Sequence, residues 1–369
     1  MTTFDLLLVG FGNVARRFVS LLAEQRAALA RDFGVTTRIV GIATRRHGRA
    51  YAAAGLEPNV VSGFGPTVAT GDPADGGHDL RSPTAAFLRD ALQRSAAAAR
   101  QRRLVVIETT TLDIARGEPA ISHIRAALAG GAHVVTANKG PVAFAYRTLA
   151  RAADRAGRQF QFEGAVMDGV PVFNLVRETL PAVNVIGFRG VVNSTTNYML
   201  TEMERGQAFD AALADMQARG VAEADASLDV DGWDAAAKAA ALANVLLDAR
   251  ITPLAVERQG ITPATGRLAI EARAKGRRVK LVASAARDGR RVLVRVAPDE
   301  LPADDLLAGL EGQQNALILR TDLLEDIAIV QRSGSLTQTA YALLSDLLSI
   351  TEARATRRWP PPARRRRSP

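Results

Sequence analysis

The feature that most constrains this chain is a glycine-spaced turn placed directly after an apolar run of strand length. Phe4 to Val9 is that run, Gly10-Phe11-Gly12-Asn13-Val14-Ala15 comes next, and an amphipathic helix is predicted through about Ala30. Strand, glycine turn and helix in that order make the dinucleotide fingerprint. Gly10 permits the tight turn, Gly12 lets backbone approach a pyrophosphate, and Ala15 takes the third, close-packing position. The N–H groups opening the helix, Asn13 and Val14 among them, then meet the phosphates at the positive end of the helix dipole. A match this short also occurs at ordinary strand-to-helix turns, so the rest of the chain has to decide.

Beyond the first helix the chain alternates between strands and helices. Thr37 to Ala43 reads as a second strand, Pro83 to Arg100 as a helix, and Leu104 to Ile107 as a buried strand ending in Glu108-Thr109-Thr110-Thr111. A helix around Pro119 to Ala129 then leads to the strand His133 to Thr136 and on to Ala137-Asn138-Lys139-Gly140-Pro141. This order predicts a Rossmann-type, doubly wound parallel sheet of the α/β class, with its ligand at the C-terminal ends of the strands. An acidic residue at the end of the second strand would accept from the ribose 2′-hydroxyl of NAD; the chain has Thr44-Arg45-Arg46 there. Arg45 beside a hydroxyl suits a 2′-phosphate, so NADP is expected, with NAD as the alternative. Gly48 to Arg81 is rich in Gly, Pro and Asp and reads as an excursion with little core.

Composition narrows the chemistry. The chain has no cysteine, which excludes disulfides, thiolate zinc sites and cysteine nucleophiles. His47, His78, His123 and His133 lack ligand spacing. Net charge is +9, but residues 352–369 carry seven arginines against Glu352, so the remainder is nearly balanced. That basic segment, with its Trp359-Pro360-Pro361-Pro362 run, cannot build a core and is expected to be a disordered tail; no nucleic-acid partner is expected. No stretch approaches the roughly 18 uncharged apolar residues of a membrane span. With no secretory leader evident, a cytoplasmic protein is expected. The only lysines are Lys139, Lys238, Lys275 and Lys280, against 43 arginines. Lysine persists where an ammonium must be able to give up a proton, a task for which guanidinium is unsuited. Lys139 and Lys238 lie in motifs, whereas Lys275 and Lys280 read as surface residues.

The most informative segment runs from Gly220 to Lys238, with Glu223, Asp225, Asp229, Asp231 and Asp234 inside it. Asp231 is a candidate N-cap for an alanine-rich helix reaching about Ala249. Asp234 and Lys238 stand four apart on one helix face, and Leu242, Val245 and Ala249 continue it, which turns Lys238 inward. Burial would lower the lysine's pKa and Asp234 would raise it, leaving an ammonium that can protonate a nearby alkoxide. An exposed ion pair worth a few tenths of a kcal/mol is the competing reading of that spacing. The acidic residues lack the spacing and closing glutamate of a calcium loop.

At this point the chain resembles homoserine dehydrogenases. Gly10 to Ala15, Ala137 to Pro141, Glu163 to Pro171, Asn193 to Asn197 and Gly220 to Lys238 occur in that family's order, and Arg332 to Ala340 is an altered form of its last glycine turn. The resemblance covers about Phe4 to Ile350 and implies reversible NAD(P)H-dependent reduction of L-aspartate 4-semialdehyde to L-homoserine by a monofunctional enzyme without an ACT domain. It casts Lys238 as general acid and base, Asp234, Glu223 and Thr196 as substrate contacts, and Lys139 as a second lysine between cofactor and substrate. Thr110, Gly220 and Gly334 resemble cofactor contacts. Glu163 with the carbonyls of Val166, Asp168 and Val170 resembles a structural sodium site. Ser194, Ala224 to Ala226 and Ser335-Leu336 depart from the family pattern, the last predicting a crowded nicotinamide pocket.

The expected organisation is a dinucleotide-binding domain, 1–160, completed by 334–350. A second α/β domain, 161–333, would supply catalysis and dimerisation, because Val279 to Ala285, Arg291 to Val296, Ala316 to Arg320 and Asp326 to Gln331 read as short strands of a mixed or antiparallel sheet. The resemblance implies a homodimer. Two rivals remain open: a related Rossmann oxidoreductase acting on another small carbonyl compound, and a catalytically silent NADP-binding regulatory protein.

Overall fold

The computed structural model describes residues 1–65, 83–98, 102–218, 226–289 and 291–350. Its strands are β1 (Thr2–Val9), β2 (Val35–Ala43), β3 (Arg49–Tyr51), β4 (Arg102–Glu108), β5 (His133–Thr136), β6 (Phe160–Gln161), β7 (Val185–Val191), β8 (Glu257–Arg258), β9 (Arg277–Asp288), β10 (Arg291–Pro302), β11 (Asn315–Thr321) and β12 (Asp326–Gln331). Its helices are α1 (Asn13–Glu24), α2 (Arg26–Phe33), α3 (Pro58–Gly63), α4 (Pro83–Ala98), α5 (Ala120–Ala129), α6 (Lys139–Ala156), α7 (Ser194–Met203), α8 (Phe209–Ala218), α9 (Ser227–Val230), α10 (Trp233–Leu246), α11 (Pro263–Ala274) and α12 (Leu336–Ser349).

The first sheet runs β3-β2-β1-β4-β5-β6, parallel throughout except for the antiparallel edge strand β3. β1 is buried from Phe4 to Val9 because helices cover both faces of a parallel sheet, which is why its sequence shows no alternation. α12 returns from the far end of the chain to pack on α1, with Leu343, Leu344 and Leu347 joining Phe18 and Leu22. The predicted first helix is two, interrupted at Gln25, and the second still turns Leu29 into the same core. The excursion after Gly48 carries more structure than its composition suggested. β3 extends the sheet, α3 comes after it, and Phe64 meets Phe11 of the glycine turn edge-on, ring centroids 5.9 Å apart. Elements of three and six residues are too short for periodicity to register. The helices predicted near Pro83 and Pro119 are there as α4 and α5.

The second sheet, β12-β11-β7-β9-β10-β8, is antiparallel apart from the β8–β10 pair. The four strands expected from turn-joined segments are there, and β7 inserts between β11 and β9. α10 is the helix where the two halves meet: it packs on α6 of the first and on β9 and β10 of the second, and one continuous core joins them. Alanines at 235–237, 239–241 and 243 are all buried there, small enough to let helix and sheet approach closely. Among the described residues, no helix is long and apolar enough to cross a membrane.

Candidate active site

The crevice begins at the glycine turn. Gly10 has φ +85°, and a Cβ there would lie 2.7 Å from the Thr109 carbonyl, so only glycine lets β1 pass so close to the end of β4. Gly12 is exposed, and a Cβ on it would meet nothing within 4 Å. No side chain caps the start of α1. Open space over Gly12 beside uncapped amides fits a dinucleotide pyrophosphate. Asn13 is exposed and Val14 half-buried at the same rim.

Two strand ends meet beside it. Asn138 N-caps α6 by accepting from the Gly140 amide at 2.9 Å, and its Nδ2 donates to the Thr110 carbonyl at 3.0 Å. The cap places Lys139 at the first helical position, where its Nζ reaches Asp234 Oδ1 at 2.8 Å. Lys238 approaches the same carboxylate from the other side, 3.0 Å from Oδ2. Lys238 also donates to the Val192 carbonyl at 2.7 Å, so two of its three N–H donors are engaged among the described residues. Its side chain is 16% exposed, turned inward as the spacing predicted. Asn193 completes the cluster: its Nδ2 donates to Asp234 Oδ2 at 2.9 Å and to Asp229 Oδ1 at 2.7 Å, while its Oδ1 accepts from the Thr196 amide and caps α7.

Electrostatics follow from this packing. Burial opposes ionisation of Asp234, but the two ammoniums and the bonds from Lys139 and Asn193 hold its carboxyl well below the usual carboxylate range. For Lys238, burial works against the charge, and Asp234 with Asp168 and Asp229 overcomes it, raising the pKa above the ordinary lysine value. Asp229 is pushed up by burial and by the charge of Asp234. The site therefore holds a fixed carboxylate between two cations in a half-dry crevice, an arrangement suited to meeting negative charge that develops on a substrate oxygen.

Residues 10–163 match the family described as "Homoserine dehydrogenase, NAD binding domain", and residues 171–348 match that described as "Homoserine dehydrogenase". The chain is 35% identical over 362 residues to the NAD(+)-dependent homoserine dehydrogenase of Pseudomonas canavaninivorans, covering 97% of this chain and 99% of that one. The chain belongs to the homoserine dehydrogenase family. It is also 33% identical over 345 residues to the homoserine dehydrogenase of Sulfurisphaera tokodaii, covering 94% of this chain and 98% of the relative. A solved homoserine dehydrogenase from Thiobacillus denitrificans superposes with a TM-score of 0.77 at 27% identity, over 98% of this chain and 76% of that one.

The residues expected in a homoserine dehydrogenase site are placed as follows. Lys139, Asp234, Lys238 and Thr110 come together beside the glycine turn, Thr196 is fully buried behind them with its hydroxyl on Asn193, and Glu223 and Gly220 lie outside the described residues. Arg45 is exposed on a turn closed by the Thr44 amide on Gly48, at the end of β2. Gly334 packs against Asp168, where a Cβ would lie 2.7 Å from the carboxylate. Ser335 serves as N-cap of α12 and Leu336 is half exposed. Asp231 is not the cap of α10; Gly232, in the left-handed region at φ +80°, makes the turn between α9 and α10. Asn193, which touches Asp234, and Asp229, which touches Asn193, were missed; their only sequence signal was membership of two motifs. Lys280 is the clearest correction. Far from the surface, it is fully buried in β9 and donates to Asn197 Oδ1 and the Leu310 carbonyl.

The side chain of one expected sodium ligand, Glu163, is otherwise engaged. Both carboxylate oxygens of Glu163 are turned to the amides of Val172, Phe173 and Asn174, at 2.6, 2.9 and 2.6 Å. The anionic side chain is thus spent on an intrachain turn.

Proposed function

We propose that the protein interconverts L-aspartate 4-semialdehyde and L-homoserine with a nicotinamide dinucleotide, NADP in preference to NAD, on the way to threonine, methionine and isoleucine. Family membership supports the reaction. The observation that carries the residue roles is the convergence of Lys139 and Lys238 on Asp234 beside the fingerprint turn. When bound, the reduced nicotinamide supplies hydride to the aldehyde carbon. Lys238 is the general acid: it stabilises the substrate alkoxide and gives it a proton, and takes the proton back in the oxidation direction. Asp234 keeps Lys238 charged until that moment and, with Glu223 and Thr196, orients the amino-acid substrate. Lys139 stands between cofactor and substrate. Gly10, Gly12, Asn13, Val14, Thr110, Gly220 and Gly334 hold the cofactor, and Arg45 takes the 2′-phosphate.

Residues 1–160 with 334–350 form the cofactor half and 161–333 the substrate half, which dimerises through the second sheet. A preference for NAD is the second reading, favoured by the name of the Pseudomonas canavaninivorans relative. An assay of homoserine oxidation with each cofactor decides it. In the same assay Lys238→Ala is expected to lose roughly 10³-fold in kcat, the scale of a positioned general acid, with unchanged circular dichroism. A Lys238→Ala enzyme at wild-type rate removes the mechanism.

A further inference from the structure

Glu108 takes no part in the proposed chemistry, yet it lies at the root of the site. It closes β4 and is fully buried, in register with Val9 of β1 and Thr136 of β5. Its carboxylate accepts from the Thr110 amide at 3.0 Å, from the Thr110 hydroxyl, and from the Thr136 hydroxyl at 2.8 Å. Thr136 Oγ1 in turn accepts from the Asn138 amide at 3.0 Å, and Asn138 Nδ2 donates to the Thr110 carbonyl. Asn138 caps α6, whose first residue is Lys139.

We propose that Glu108 is a positioning residue for the reaction: by tying the turn after β4 to the turn after β5, it holds Lys139, and through Lys139 the carboxylate of Asp234, in place against the cofactor crevice. The inference rests on the proposed homoserine dehydrogenase reaction. Three donors converge on two oxygens, and only an ionised carboxylate accepts them all without offering a donor of its own. A protonated carboxyl must give up an acceptor position or turn a threonine hydroxyl around, and either change loosens the tie. Among the described residues, no ion pair reaches Glu108; the hydroxyls of Thr110 and Thr136 and the Thr110 amide are the polar groups facing it. Burial pushes its carboxyl up to about 6, opposed by those bonds. The tie is therefore complete above that pH and weakens below it.

The test compares wild type, Glu108→Gln and Thr136→Val by kcat/KM for homoserine oxidation against pH, and by the Kd for NADPH measured by fluorescence. Wild type is expected to lose kcat/KM as pH falls through about 6. Glu108→Gln should be about tenfold slower at alkaline pH, the worth of roughly one charge-assisted hydrogen bond, and should lack that acid limb. Thr136→Val removes a donor to the anion and should move the limb to higher pH. A purely structural glutamate would lower the melting temperature and leave the limb alone. An unchanged limb and rate in Glu108→Gln overturn the proposal. If wild type turns over no homoserine, the function reading falls instead, and the tie is then judged on NADPH, whose Kd should rise in Glu108→Gln and whose constancy would count against it.

Discussion

Asp234 shows how much one side chain can organise. Its carboxylate takes two ammoniums and an amide N–H in the crevice, and the loss of its charge would leave two partly buried cations facing each other. Asp234→Asn should therefore destabilise the fold by about 3 kcal/mol in urea denaturation, within the range for breaking a buried pair, and abolish turnover. Sequence made half of this legible. The pairing with Lys238 follows from four-residue spacing on a helix, because neighbours on a helix face are fixed by local geometry. The pairing with Lys139 was not legible, since it joins residues distant in the chain through the cap of a different helix. Motif membership pointed to Asn193 and Asp229 without saying whom they touch.

At the scale of elements, a strand buried on both faces declares itself as an apolar run, but a polar residue buried within it does not declare its partners. β9 lies between β7 and β10, and Val279 to Val282 are buried without alternation, so nothing in the local pattern separates Lys280 from its apolar neighbours. Its ammonium holds Asn197 of α7 and the turn at Leu310, and burial lowers its pKa to about 8. Lys280→Ala would leave those two acceptors and a cavity behind; a loss of about 3 kcal/mol, read as a lower urea midpoint at unchanged slope, is expected. The effect also has a sign with pH. A lysine whose folded pKa is depressed costs stability while both states are protonated and costs less as pH rises through about 8 towards 10.5, so the wild-type margin over Lys280→Ala should widen across that window. Long helices were legible because each spans several periods, and the parallel sheet followed from their alternation with strands. β3 and α3 were too short, and the break at Gln25 leaves the apolar spacing intact on both sides.

The whole molecule depends on a chain that leaves the first sheet, builds the second and comes back. α12 makes the return, and Asp168, in the left-handed region at φ 49°, receives it by accepting from Thr339 Oγ1 at 3.0 Å and Gln331 Nε2 at 2.9 Å. Those bonds hold the turn around Gly334 against the half that carries Lys238. Asp168→Ala is expected to raise KM for the dinucleotide several-fold while changing KM for homoserine less, a split that initial-rate kinetics reads directly. Composition and motif order anticipated two halves, but not that α10 would fuse their cores into one.

The charges around Asp234 are uneven in number, and that matters during turnover. Lending a proton to substrate strips one neighbour of its charge, yet the other ammonium, 2.8 Å away, stays where it is. In the proposed reaction the aspartate never faces a dry surrounding alone, and the proton can go out and return without any loop having to swing in to compensate.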